Sequence, residues 1–131
     1  MEASDFLSLY RSGRKEFPSI DLSGANLSNV ELHKINLSWA RLYKANLAAA
    51  KLTRANLVGA DLSGADLKGA DLHRANLRKA NLKGADLRKA DLRHSDLRGA
   101  DLSWAYLQGA ILEGAMMHDT KLHKAVWNNS P

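Results

Sequence analysis

The chain has 131 residues, room for one domain, with 45% apolar and 25% charged residues and a formal net charge of +5. Cysteine is absent, which excludes disulfides and thiolate metal sites, and no apolar run reaches the roughly 20 residues that a membrane-spanning helix needs. The basic balance leaves polyanions open as partners.

The start, Met1-Glu-Ala-Ser-Asp, lacks the basic and apolar signature of a secretory leader, so a cytoplasmic protein is expected. Residues 1–16 lie outside the pattern that follows. Ser4 or Asp5 is a candidate helix cap, and Phe6, Leu9 and Tyr10 then share one helical face. Gly13 is the expected stop. A short amphipathic helix of this kind suits the open end of a repeat array, where it covers apolar side chains and strand edges.

A five-residue beat then begins. From Leu22 to Leu122 every fifth residue is leucine except Met117. Two positions earlier stands a small residue, nearly always alanine, and between the two stands Asp or Asn through most of the array. Ala55 to Leu102 keeps this rhythm without a slip. Internal repeats take precedence over any other reading of fold. In an α-helix five residues turn about 500°, a net of about 140°, so the leucines would scatter. In a straight strand an odd period would point successive leucines to opposite faces. A bent chain resolves this. Ala25 and Leu27 share a face, and a corner after each leucine restores the phase. If each corner turns about 90°, four repeats close a square coil of about 20 residues, and coils stack at about 4.8 Å. The small residue and the leucine point inward.

The first coil starts near Lys15, since Phe17 stands five before Leu22. Ile20, Val30 and Ile35 replace alanine early, which suggests contact with the terminal helix. Ala48, Ala49 and Ala50 are read as a bare corner. Lys68, Arg74, Arg78, Lys79, Lys83, Arg88, Lys89, Arg93 and Arg98 follow leucines, while Asp66, Asp71, Asp86, Asp91 and Asp96 precede them. Mutually neutralising outward faces are expected. Lys34, Arg54, Arg74 and His94 are spaced by 20 and are expected along one edge, with Arg78 and Arg98 just past it. These six are the candidate polyanion-binding residues, although no aromatic platform stands among the central charges.

No acid, base, nucleophile or phosphate loop stands out from the repeat, so no catalytic residue, cofactor or metal is expected. His33 and His73 are two coils apart, about 10 Å, too far to share a metal. In the last coil Tyr106, Ile111 and Met116 replace Asp or Asn, Trp104 lies beside Tyr106, and Trp127 takes a leucine position. These five form a candidate surface for self-association or for cover by the tail.

The repeat, Ala-(Asp/Asn)-Leu-X-X, is that of the pentapeptide repeat family, and the resemblance covers most of the chain. It implies an all-β solenoid, a right-handed quadrilateral β-helix, here of about five coils with an N-terminal helical cap. The expected layout is a cap at 1–16, the β-helix at 17–124 and a tail at 125–131. The implied role is a non-enzymatic structural or protein-interaction module, with polyanion or nucleic-acid binding through the central coils as the alternative. Some members of the family resemble B-DNA in shape and charge, bind DNA gyrase and dimerise through the C-terminal end. Those are acidic, and the basic charge here disfavours a gyrase-directed role.

Overall fold

The structure, a computed structural model, describes residues 1–128; residues 129–131 of the expected tail lie outside the described residues. Its one helix, α1, spans Ala3–Arg11. Neither Ser4 nor Asp5 caps it. Glu2 holds the N-cap position in extended conformation and makes no side-chain cap hydrogen bond. The helix begins two or three residues earlier than the capping residues suggest because Ala3 and Phe6 are drawn onto the core. Tertiary packing here outweighs a local cap. At the other end Gly13, with φ of 111°, donates to the Tyr10 carbonyl at 2.9 Å, and Arg14 donates to Leu9 at 3.1 Å. This paired closure is the Schellman arrangement that a left-handed glycine permits.

Beyond α1, each repeat contributes one bridging residue, and every bridge joins residues 20 apart in parallel. Among the described residues the pairings fall on four ladders. The first side carries Glu16–Asn36 and its successors, the second Asp21–Arg41, the third Asn26–Asn46 and the fourth Glu31–Lys51. The last pairing on the third side is Tyr106 with Val126.

Four backbone hydrogen bonds recur through the central repeats. Leu42 donates to the Asp61 carbonyl of the next coil at 2.7 Å, and Arg41 donates to the Ile20 carbonyl of the preceding one at 2.8 Å. Ala45 donates to Leu42 at 3.0 Å, closing a β-turn over Tyr43 and Lys44. The second central residue of that turn has positive φ at every fifth position from Ser19 to Lys124. This is the signature of a type II turn, which favours glycine there. Most of these positions are not glycine, and left-handed backbone costs a non-glycine residue roughly 1–2 kcal/mol. The turn persists because its amide also bonds to the neighbouring coil: Lys44 donates to Ser63 at 3.0 Å, and Trp39 to Val58 at 2.8 Å.

The interior follows the leucine register. Leu22, Leu42, Leu62, Leu82 and Leu102 are buried, as are Leu32, Leu52, Leu72 and Leu92, while Leu112 and Leu122 in the last coil are partly covered among the described residues. Alanines fill the space between, and Ala50, read as part of a bare corner, in fact faces inward and is buried. Its position two before Leu52 decides this, whatever its neighbours are. Ser95 takes an alanine position and is also buried; its hydroxyl donates to the Leu92 carbonyl at 2.7 Å, which satisfies it locally. Phe6 of α1 meets Phe17 edge to face at 4.8 Å, and the Tyr10 hydroxyl donates to the His33 carbonyl at 3.0 Å.

The interior should respond sharply to one change. Leu72→Ala is expected to cost about 2–5 kcal/mol in a urea titration. Leu72→Asp should unfold the central coils at neutral pH, because an ionised carboxylate has no partner there.

Candidate interaction surfaces

The outward residues begin with the Asp or Asn before each leucine. Its side-chain oxygen accepts from the backbone amide two residues on: Asp61 from Ser63 at 3.0 Å, Asn76 from Arg78 at 3.2 Å, Asp101 from Ser103 at 2.9 Å. This Asx bond supports these corners and explains the preference for Asp and Asn, while Glu31, Arg41 and Lys51 stand at the same position in other repeats. The sequence reading treated them as surface charges. The available signal was that Asn serves as well as Asp.

Arginine enters the same turn. Arg88, Arg93 and Arg98 each grip the aspartate two residues earlier through Nε and a terminal nitrogen, at 2.6–2.9 Å. The hydrogen bonds from these guanidinium groups hold Asp86, Asp91 and Asp96 below the usual carboxylate range and raise their arginines. For Asp101 burial pushes upward, but the Ser103 hydrogen bonds and the Lys83 and Lys121 charges outweigh it, so this carboxyl too is lowered. The alternating charges thus neutralise one another inside single repeats, as the central sequence suggests.

Lys34, Arg54, Arg74 and His94 occupy the left-handed position of the same corner on successive coils. Among the described residues none of the four is in an ion pair, whereas Arg98 is committed to Asp96. Lys51 and Arg93 add positive charge to that side, but Glu31, Asp71, Asp91 and Glu113 offset most of it. His73 and His94 approach with ring centres 5.8 Å apart, a pairing between positions 21 apart that the 20-residue register alone does not single out. Among the described residues no three His, Cys, Asp or Glu side chains gather as a metal site would need.

Trp104, Tyr106, Ile111 and Met116 are each about half exposed and are spread around the perimeter rather than forming one patch. Trp104 stands at the corner between the second and third sides, Tyr106 on the third, Ile111 on the fourth and Met116 on the first. Trp127 is 45% exposed, and Met117 and Leu122 of the last coil are partly covered.

Concave surface is scarce. A recess of about 490 Å³ lies between α1 and the first coils, lined by Leu7, Tyr10, Val30 and Glu31 among others. Two shallower recesses of about 400 and 270 Å³ lie between basic corner residues, Lys68 with Arg88 and Arg78 with Arg98. No helix among the described residues is long and apolar enough to cross a membrane.

Bulky corner residues lie over glycines one coil ahead. The Trp39 indole rests on the backbone of Gly59, so closely that a Cβ there would collide with the ring. Lys44, Lys89 and His94 lie likewise over Gly64, Gly109 and Gly114. The sequence reading took the glycines as corners only. Their spacing of 20 from large residues was the signal for this second role.

Comparisons agree with this geometry. The family model described as pentapeptide repeats matches residues 20–57, 55–93 and 95–125, in 8 copies. A pentapeptide repeat protein from the cyanobacterium Cyanothece is 31% identical, with a TM-score of 0.58 over 95% of this chain and 99% of that one. One from Nostoc is 34% identical, with a TM-score of 0.55 over 88% and 94%. One from the Arabidopsis thaliana thylakoid lumen is 31% identical, with a TM-score of 0.54 over 80% of this chain and 63% of that one. No curated protein matches significantly.

The arginine forks carry a pH signature. A lowered carboxyl stabilises the fold above its unfolded value, near 3.8, and loses that contribution as pH falls through the folded value. Replacing Arg88, Arg93 and Arg98 by Gln should cost little at pH 7, since these arginines are exposed and screened by solvent. The gap between variant and wild type should close as pH falls below about 3.8, measured by urea titration across pH.

Proposed function

Because this chain belongs to the pentapeptide repeat family, we propose that it is a rigid, non-enzymatic interaction module, a right-handed quadrilateral β-helix of about five coils capped by α1. The observation that carries this reading is the commitment of outward polar groups to their own turns. Asp and Asn support corners, and arginines fork onto aspartates. A catalytic acid needs a raised carboxyl in a cleft; every resolved carboxyl shift here is downward. What remains for function is a stiff lattice of side chains at fixed spacing, suited to a protein partner. A cytoplasmic location belongs to this proposal and is read by cell fractionation. Affinity capture with the whole chain should recover a stoichiometric protein partner from the native cell. Recovery of none, or turnover of a small molecule by the pure protein, would count against the module.

A second reading is polyanion binding along Lys34, Arg54, Arg74 and His94, favoured by their lack of ion pairs among the described residues. Reversing Arg54 and Arg74 to Glu should then weaken retention on a DNA column and flatten its salt dependence. Unchanged retention removes this edge. A gyrase-directed DNA mimic needs an acidic surface, and the charge of +5 opposes it.

The C-terminal coil supports self-association, since Leu112, Met117 and Leu122 are only partly covered among the described residues. A two-fold dimer would give about twice the 14.4 kDa chain mass by light scattering, and Ile111→Lys with Met116→Lys should return it to monomer. A wild-type monomer at high concentration would leave cover by the tail as the better account.

A further inference from the structure

The second side combines two features: among the described residues no arginine fork lies on it, and exposed aromatic rings flank it. The arginine forks lie on the first, third and fourth sides, at Arg98, Arg88 and Arg93. On the second side the single ion pair among the described residues is the long one between Lys83 and Asp101, at 3.7 Å. Arg41 lies between Asp21 and Asp61 on its ladder, yet both carboxylates turn an oxygen to the backbone of Ser23 and Ser63.

Arg41 lies on this side of the second coil, with Trp39 at the corner before it and Tyr43 at the corner after it, and all three are exposed. Trp39 is 58% exposed and Tyr43 47%. With one face of the Trp39 indole laid on Gly59, its other face is turned to solvent as a fixed plane. The residues around the rings are small: Ser19, Ser23 and Gly24 on the coil before, Ser63 and Gly64 on the coil after. Nothing bulky on those coils shields the two rings. Lys44 holds its ammonium 5.3 Å from the Tyr43 ring centre. The corner that carries Lys44 carries Trp104 three coils on, about 14 Å away, with the Lys124 ammonium 5.9 Å from its ring.

We propose that the second side binds single-stranded nucleic acid, its bases stacking on Trp39 and Tyr43 and its phosphates meeting Arg41 and Lys44. Flat exposed rings interleaved with unpaired cations are what an unpaired, anionic strand requires. A duplex keeps its base faces stacked internally and offers these rings nothing. A neutral glycan has no use for the cations. The proposal rests on reading the coil as a non-enzymatic interaction module, but uses a different face from the Lys34–His94 edge.

The test uses the whole chain with a fluorescein-labelled 15-nucleotide oligothymidylate, followed by anisotropy and by tryptophan fluorescence. Binding with quenching is expected, and a duplex of the same length should bind at least about tenfold more weakly. Trp39→Ala with Tyr43→Ala should weaken strand binding about tenfold or more, and Arg41→Ala with Lys44→Ala should reduce its salt dependence. Both pairs are exposed, and an unchanged thermal melt confirms that each variant folds. Equal binding of strand and duplex, equal competition by heparin without quenching, or no effect of the aromatic substitutions would overturn the proposal. So would absence of strand binding; if a protein partner is still captured, the module survives and only this face is lost.

Discussion

The turn closed after every third extended residue is the constraint on which the rest depends. A chain that must bend at each fifth residue, with the second turn residue in left-handed backbone, has little freedom elsewhere. Its strain is offset by a hydrogen bond to the next coil, as from Lys44 to Ser63, and by the Asx bond across the corner, as from Ser63 to Asp61. The Asx bond is local to one repeat, but the bond to the next coil does not exist in an isolated repeat that lacks its neighbour. The turns and the stack therefore stabilise one another, and the cooperativity of a one-dimensional array follows. Once the corners are fixed, the leucines have one direction to point and the interior closes around them.

That same constraint sets what the surface offers. The corner residues are held on stiff backbone at intervals of one coil, so a large side chain must find room over the coil that follows. Trp39 over Gly59 and His94 over Gly114 show the solution, a glycine one coil ahead. A solenoid of this kind has outward planes and ridges but few clefts. Its chemistry is recognition by arrayed side chains, and the recess beside α1 is the largest of the concavities described. Charge is spread in the same way. Asp96 with Arg98, Asp86 with Arg88 and Asp91 with Arg93 cancel locally, and the excess positive charge is shared among the sides.

The interior was legible in the sequence because burial imposes a strict period on leucine, and the column through Leu32, Leu52 and Leu72 needs no more information than that period. Corner chemistry was harder to read. The aspartates looked like partners for the basic residues, and some are, but Asn46, Asn56 and Asn76 make the same bond to the turn without any charge. A side chain bonding to backbone two residues on leaves no mark beyond the preference for short polar residues. The start of α1 was misjudged because Ser4 and Asp5 are good caps locally, while the packing of Ala3 and Phe6 on the core is a tertiary fact. The aromatic pair Trp39 and Tyr43 leaves no mark in the pattern, because both occupy outward corner positions that accept any residue.

The most direct test of the account is oxidative cross-linking of paired cysteines, for which the cysteine-free chain is a clean background. Arg78 and Arg98 are 20 apart and adjacent in the stack, while Arg78 and Arg88 are 10 apart and lie on opposite sides. Arg78→Cys with Arg98→Cys should form an intramolecular disulfide readily, since adjacent coils bring backbones to about 4.8 Å. Arg78→Cys with Arg88→Cys should not, although its shorter loop would favour it in an unstructured chain. Efficient closure of the second pair, with failure of the first, would contradict a coil of 20 residues and the account built on it.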